Sequence, residues 1–306
     1  MNLTSPSQVR EWCCSNGFHP NRVLGQNFLI DKNALDAIIE TAAPPPDAPV
    51  LEIGPGLGVL TEGLLALGLP VTAVEKDPVL ADRLAAALGS PANLTVLKGD
   101  ALDFIKAGAC DGFRTLVSNL PYQAGTRILL ELVRRPQAMP ETMTVLVQAE
   151  VADRLAAGPG GKVRGLAGVW MQLDYDVTCV RKVPPTCFWP RPEVGSTVVR
   201  LVRHHLNDTL TAEVRDTFAR LTKQAFEHRR KQLRAIFKGV VESSARAEEL
   251  TNEEWLALAN HLTIRLRQGY GGQAQPPNHL TTQQKRPAAR PVFSCVSGRQ
   301  FHEPHA

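Results

Sequence analysis

The chain has 306 residues, 43% of them hydrophobic, and its six cysteines form no Cys-x-x-Cys pair and meet no histidines at zinc spacing. That excludes a small disulfide-stapled fold, suggests no metal site, and leaves room for one large domain and a smaller companion with a true apolar core. The net charge of +4 is unevenly spread: residues 200–306 hold 17 Lys/Arg against 10 Asp/Glu, and residues 1–199 hold 17 against 20, so the basic end is the part expected to meet phosphate. A merely solvated basic surface would carry the same charge. There is no basic start followed by an apolar leader and no run near the roughly 18 apolar residues of a membrane span, so a soluble cytoplasmic protein is expected.

From Val50 to Val147 short β-branched runs alternate with helical stretches. Strands are predicted at Val50–Ile53, Val71–Val74, Leu94–Leu97, Thr115–Val117 and Thr144–Val147, with helices over Leu60–Leu67, Pro78–Leu88 and Thr126–Val133. That alternation predicts an α/β fold with a mostly parallel, Rossmann-like sheet. Runs near Val169–Val180 and Ser196–Val202 would complete it with an antiparallel edge. From Leu210 to about Leu266 the pattern is of several short helices, which sets a domain boundary near Arg203. The expected organisation is a large α/β domain over 1–203, a small helical domain over 204–266, and a tail over 267–306 whose Gln, Gly, Pro and Thr content predicts disorder.

The strand ends carry the chemistry. After the first predicted strand comes Gly54-Pro55-Gly56-Leu57-Gly58, whose glycines permit a tight turn and close approach of a ligand to the backbone. The next strand ends in Glu75, placed for a ribose diol, and the third is followed by Asp100, placed for an adenine amino group. A dinucleotide enzyme could share these features. It has no need of Asn119-Leu120-Pro121-Tyr122 after the fourth strand. An amide oxygen and backbone carbonyls held by a stiff proline could accept the N–H bonds of an aromatic-ring amine, whose lone pair is otherwise delocalised, and the tyrosine could stack on the ring. Together these strand ends predict methylation of such an amine.

Six motifs in this order resemble the small-subunit ribosomal RNA adenine N6,N6-dimethyltransferase family, related to the erythromycin-resistance rRNA methyltransferases. They are Leu24-Gly25-Gln26-Asn27-Phe28-Leu29-Ile30-Asp31, the Gly54–Gly58 loop, Asn119–Tyr122, Gln148–Leu155, Pro184–Pro192, and Phe226-Glu227-His228-Arg229-Arg230-Lys231-Gln232-Leu233-Arg234. The resemblance spans about residues 18–265. It implies a class I methyltransferase fold, S-adenosylmethionine as methyl donor, and two adjacent adenines in a 3'-terminal stem-loop of small-subunit rRNA as substrate, met by a monomer on the assembling subunit. It further implies that Asn27, Leu29, Gly54, Gly56, Glu75, Asp100 and Asn119 bind the donor. Asn119 with the Leu120 carbonyl would bind the target amine beside Pro121, while Tyr122 and Phe188 would stack on the flipped adenine. Arg229, Arg230, Lys231 and Arg234, expected on one helix, would grip RNA.

The chain departs from the family around Lys162, where Gly161 and Arg164 replace a serine and an aromatic, and at Glu193 and Gly195, which replace a basic residue and an aspartate. These positions flank the donor and acceptor motifs, so the departures bear on RNA contacts. A large-subunit adenine methyltransferase of the resistance type and an RNA-binding assembly protein without important catalysis are the rival readings.

Overall fold

The computed structural model describes residues 2–21 and 24–267. In chain order, α1 (Pro6–Ser15), β1 (Phe28–Leu29) and α2 (Lys32–Ala42) lead into the alternating region. There follow β2 (Val50–Ile53), α3 (Val59–Leu65), β3 (Val71–Glu75), α4 (Pro78–Ala87), β4 (Leu94–Lys98), α5 (Ala101–Ala107), β5 (Thr115–Asn119), α6 (Gly125–Val133) and β6 (Thr142–Gln148). The chain then forms α7 (Ala149–Ala156), α8 (Leu166–Asp174), β7 (Tyr175–Val183), β8 (Phe188–Trp189), β9 (Ser196–Arg203), α9 (Ala212–Glu227), α10 (Leu233–Ile236) and α11 (Asn252–Arg267).

Seven strands form one sheet in the order β4-β3-β2-β5-β6-β9-β7. The first five are parallel, β9 runs antiparallel to β6, and β7 antiparallel to β9. This is the expected mostly parallel class I sheet with its antiparallel edge. Because the central strands have both faces covered, every residue of β2 is buried. Val50, Val117, Leu146 and Val198 face a core shared with α1, α2 and α3, while Leu51, Ile53, Leu116, Val145 and Val199 face a second core with α5, α6 and α8. The chain runs outward through β2, β3 and β4, then crosses back to place β5 on the other side of β2. Beyond the carboxyl ends of strands at such a switch point lies a crevice suited to ligands.

Local chemistry sets the helix starts. Asp77 accepts from the amides of Val79 and Leu80 at 2.9 and 3.3 Å, and Pro78 fills the first turn of α4 where no amide partner is needed. Gly58 begins α3 at a φ of +91°, and a Cβ there would lie 2.6 Å from Leu84, so the loop can follow this path only with glycine.

Two expectations need correction. The apolar run from Leu166 to Asp174, read in part as strand, is α8; Val169, Met171 and Leu173 are buried, and the strand begins only at Tyr175. The segment after Arg203 holds two helices of 16 residues, α9 and α11, rather than short ones alone. They pack on each other and on α8. The tail expected beyond Arg267 lies outside the described residues.

Candidate active site

The carboxyl ends of β2, β3, β4 and β5 open into a cleft of about 200 Å3. Its wall includes Asn27, Leu29, Gly54, Gly56, Glu75, Asp100, Asn119, Leu120, Pro121 and Tyr122, so the structure brings together the donor-side and acceptor-side residues marked in the sequence, Phe188 excepted. Among the described residues no cluster of His, Cys, Asp or Glu could hold a metal ion.

The glycine loop is shaped by its neighbours. Gly54 has a φ of +71°, and a Cβ there would stand 3.3 Å from the Pro121 ring. Gly56, at +60°, would place one 3.0 Å from the Phe28 ring. Any side chain would therefore press on the acceptor turn or the N-terminal segment. Glu75 fixes the loop from beneath: its Oε2 accepts from the Gly56 amide at 3.0 Å and its Oε1 from the Asp77 amide at 2.8 Å. Burial pushes its carboxyl up, and those two amide bonds hold it down in opposition. Each oxygen retains a lone pair for a further donor. Asp100 receives the Lys76 ammonium at 2.8 Å, the main reason its carboxyl lies below the usual range, and it also caps α5 through the Leu102 amide at 2.9 Å.

On the acceptor side Asn119 ends β5, and its Nδ2 donates to the Asn27 carbonyl at 3.3 Å. Its Oδ1 is buried with no hydrogen-bond partner among the described residues. A buried amide oxygen left unpaired costs about 1–3 kcal/mol, so this acceptor is poised for an N–H that the protein does not supply. The Pro121 carbonyl is taken by the amides of Ala124 and Gly125 at 3.1 and 2.7 Å, which removes one of the two carbonyls the sequence offered and leaves that of Leu120. Tyr122 is anchored by its hydroxyl to Ser196 Oγ at 2.6 Å, and burial raises its phenol above the ordinary value.

Phe188 lies beside the acceptor turn, against Tyr122, in a buried position instead of a surface loop. It is 2% exposed, pairs through β8 with Leu29 of β1, and meets Tyr122 edge-on with ring centroids 6.4 Å apart. It does not line the cleft, and its position backs Tyr122. Sequence reasoning missed Phe28, Gly25 and Glu52. Phe28 forms the wall over Gly56, and Gly25, at a φ of +68°, lies where a Cβ would come 3.3 Å from the Tyr122 amide. The first two sit inside the quoted Leu24–Asp31 run, whose dense alternation of glycine, amide and apolar residues was the available signal.

The basic group departs from its expected helix. α9 ends at Glu227, Arg229, Arg230 and Lys231 form the following turn, and only Arg234 is helical, in α10. Arg230, Lys231 and Arg234 are exposed. Arg229 is tied inward, donating to the Lys162 carbonyl and lying 3.6 Å from Glu248. Arg164, one of the departures, is 1% exposed and donates to Asn252 Oδ1 at 3.0 Å, so it joins its loop to the start of α11 instead of facing solvent.

Residues 17–263 match the family described as ribosomal RNA adenine dimethylase. The chain belongs to that family. It is 38% identical over 279 residues to the ribosomal RNA small subunit methyltransferase A of Streptomyces coelicolor (85% of this chain, 96% of the relative). With the protein of the same name from Deinococcus radiodurans it shares 42% over 236 residues (76% and 77%). Among solved structures, a Plasmodium falciparum dimethyladenosine transferase aligns with a TM-score of 0.66 at 24% identity, over 77% of this chain and 98% of that one, a likeness of fold. The 23S rRNA methyltransferase ErmE aligns at 0.58 with 26% identity, over 77% and 99%. This dimethylase is thus an S-adenosylmethionine-dependent methyltransferase, and the cleft suits that donor. Gly54 and Gly56 leave bare backbone on its wall, Glu75 and Asp100 present acceptors for a nucleoside, and Leu29, Ile53, Leu57 and Val74 add apolar surface.

Proposed function

We propose that this dimethylase transfers methyl groups from S-adenosylmethionine to N6 of two adjacent adenines in a 3'-terminal stem-loop of small-subunit rRNA, giving N6,N6-dimethyladenosine. It acts as a cytoplasmic monomer on the assembling subunit. The observation that carries the reading is the Asn119 carboxamide, whose nitrogen is held by the Asn27 carbonyl while its oxygen is buried and unpaired beside Pro121 and Tyr122.

Bound in the cleft, the donor supplies a methyl group made electrophilic by a sulfonium. Glu75 would hold its ribose, Asp100 its adenine, Gly54 and Gly56 its amino-acid end, and Asn27 and Leu29 of the N-terminal segment would contact it together with Asn119. Asn119 Oδ1 and the Leu120 carbonyl accept the two N–H bonds of the target amine, drawing its lone pair out of the ring and towards the methyl. Tyr122 stacks on the flipped base, held in place by Ser196 at its hydroxyl and Phe188 at its edge. Orientation does most of the catalysis, and no general base is needed because the amine's proton leaves to water after transfer. Residues 204–266 form the RNA-binding part, in which Arg230, Lys231 and Arg234 meet phosphates and Arg229 braces the turn that presents them.

The similarity to ErmE favours one second reading, methylation of a large-subunit adenine. Purified protein and donor are incubated with undermethylated small subunits and, separately, with large-subunit RNA, and methylated adenosines are quantified by mass spectrometry. Dimethyladenosine confined to the small-subunit RNA is expected. Modification of the large-subunit RNA alone establishes the second reading, and donor binding with no modification of either points to an assembly protein.

A further inference from the structure

Glu52 sits in β2 two residues before the glycine loop and is 1% exposed, yet its position is on the wall of the cleft. Among the described residues its side chain makes one hydrogen bond, from the Thr61 hydroxyl of α3 to Oε2 at 2.7 Å. Thr61 is neutral, as are Ser118 and Asn119 on the adjoining β5. From β3 comes Glu75, a second carboxylate, which opposes ionisation of Glu52. Asp77 lies beyond Glu75, and the Lys76 between them is taken by Asp100. No ion pair to Glu52 forms among the described residues, and the exposed Glu62 of α3 adds no cation. A buried carboxylate with one neutral donor and acidic neighbours does not stay charged unaided.

We propose that Glu52 is the counter-charge for the methyl donor: protonated in the empty cleft, it releases its proton to solvent when the cationic donor enters and regains one when the neutral-sulfur by-product remains. The inference rests on the reading of the cleft as the donor site. The donor carries one positive charge more than its demethylated by-product, so the two ligands differ in what they ask of a buried acid. Of the two carboxylates, Glu52 is the one that holds the proton, because Glu75 accepts two backbone N–H bonds that favour its anion. Burial pushes Glu52 up to about 8, which agrees with a proton present at neutral pH. Glu52 thereby selects donor over by-product and helps the spent molecule leave.

Calorimetric titration tests this in two buffers of different ionisation enthalpy at a pH of about 6.5, where the ligands' α-amino groups, with pKa values of about 7.7–8.0, stay protonated. Binding of S-adenosylmethionine should release up to one proton per site, and binding of S-adenosylhomocysteine far less. Donor affinity should rise by up to about 10-fold for each unit by which pH increases towards neutrality, while by-product affinity stays flat. Glu52→Gln, which keeps the volume and an acceptor for Thr61, should abolish both the release and the slope. Equal proton release with the two ligands, none with either, or release that persists in Glu52→Gln would overturn the inference. If the variant does not fold, the two-ligand comparison on the natural protein decides alone. Failure of the donor to bind at all would instead overturn the donor-site reading itself.

Discussion

The residues at the carboxyl edge of the sheet are held by neighbours that leave them little freedom, whereas three of the four cations between α9 and the end of α10 stand in water. Glu75 is fixed by two amides, Asp100 by an amide and an ammonium, and Asn119 by a carbonyl of the N-terminal segment. Orientation-dependent chemistry needs that restraint. Phosphate binding does not, because a point charge on a flexible stem serves almost as well. The two regions should therefore fail differently when altered: the cleft steeply and at one residue, the basic turn gently and in proportion to charge.

The steepest failure belongs to Asn119→Ala. It removes the unpaired Oδ1 and the tie to Asn27 together, so turnover should fall by about 10- to 100-fold, the effect of losing about 1–3 kcal/mol at a buried hydrogen bond. Donor affinity measured by calorimetry should fall by less than turnover, since Asn27 and Asn119 are only two of the donor contacts; unchanged turnover would show that the amine binds elsewhere. Glu75→Ala comes next and should act on the other term. It strands the Gly56 and Asp77 amides as well as removing the proposed ribose acceptor, so the donor Kd should rise by about 10-fold or more, again on the scale of about 1–3 kcal/mol. An unaltered Kd would place the ribose contact elsewhere in the cleft.

A smaller effect separates stability from catalysis within the cleft. Glu52 has its carboxyl raised from 4.5 to about 8, so the folded protein keeps a proton that the unfolded chain gives up. The stability tied to that proton is fully present below 4.5 and is lost as pH rises towards about 8, where it levels off. Glu52→Gln lacks this titration. Its melting temperature relative to the natural protein should climb between those limits, by roughly 2–4 °C for each kcal/mol involved. A constant difference across the range would mean that Glu52 is ionised throughout.

The same contrast governs what the sequence disclosed. β2 to β6 were legible because parallel strands, buried in β2, β3, β5 and β6, are short β-branched runs, and the site was legible because its residues fall at the ends of those runs. The course of Leu166–Asp174 was not, since an apolar stretch of that length suits a buried helix as well as a strand. Phe188 looked like a loop aromatic among prolines. Its burial depends on pairing with Leu29, far away in sequence, which no local pattern reports. Arg229, Arg230, Lys231 and Arg234 looked helical by continuation from α9, but no apolar residue occurs between Phe226 and Leu233 to carry a buried stripe onward. The chain turns there, with the Lys231 amide bonded to the His228 carbonyl at 2.8 Å.

Lys231→Gln and Arg229→Gln bring out the difference between cations only a residue or two apart. Lys231 is exposed and Arg229 is tied to Lys162 and Glu248, so the first change should be felt by RNA and the second by the fold. For Lys231→Gln, the slope of log affinity against log salt should become shallower by about one unit, with no change in melting temperature. For Arg229→Gln, the slope should hold while the melting temperature drops by about 2–4 °C, because a partly exposed ion pair contributes at most about 1 kcal/mol. If both variants shift the salt slope equally, Arg229 leaves its internal partners on the substrate, and the brace becomes a fourth phosphate contact.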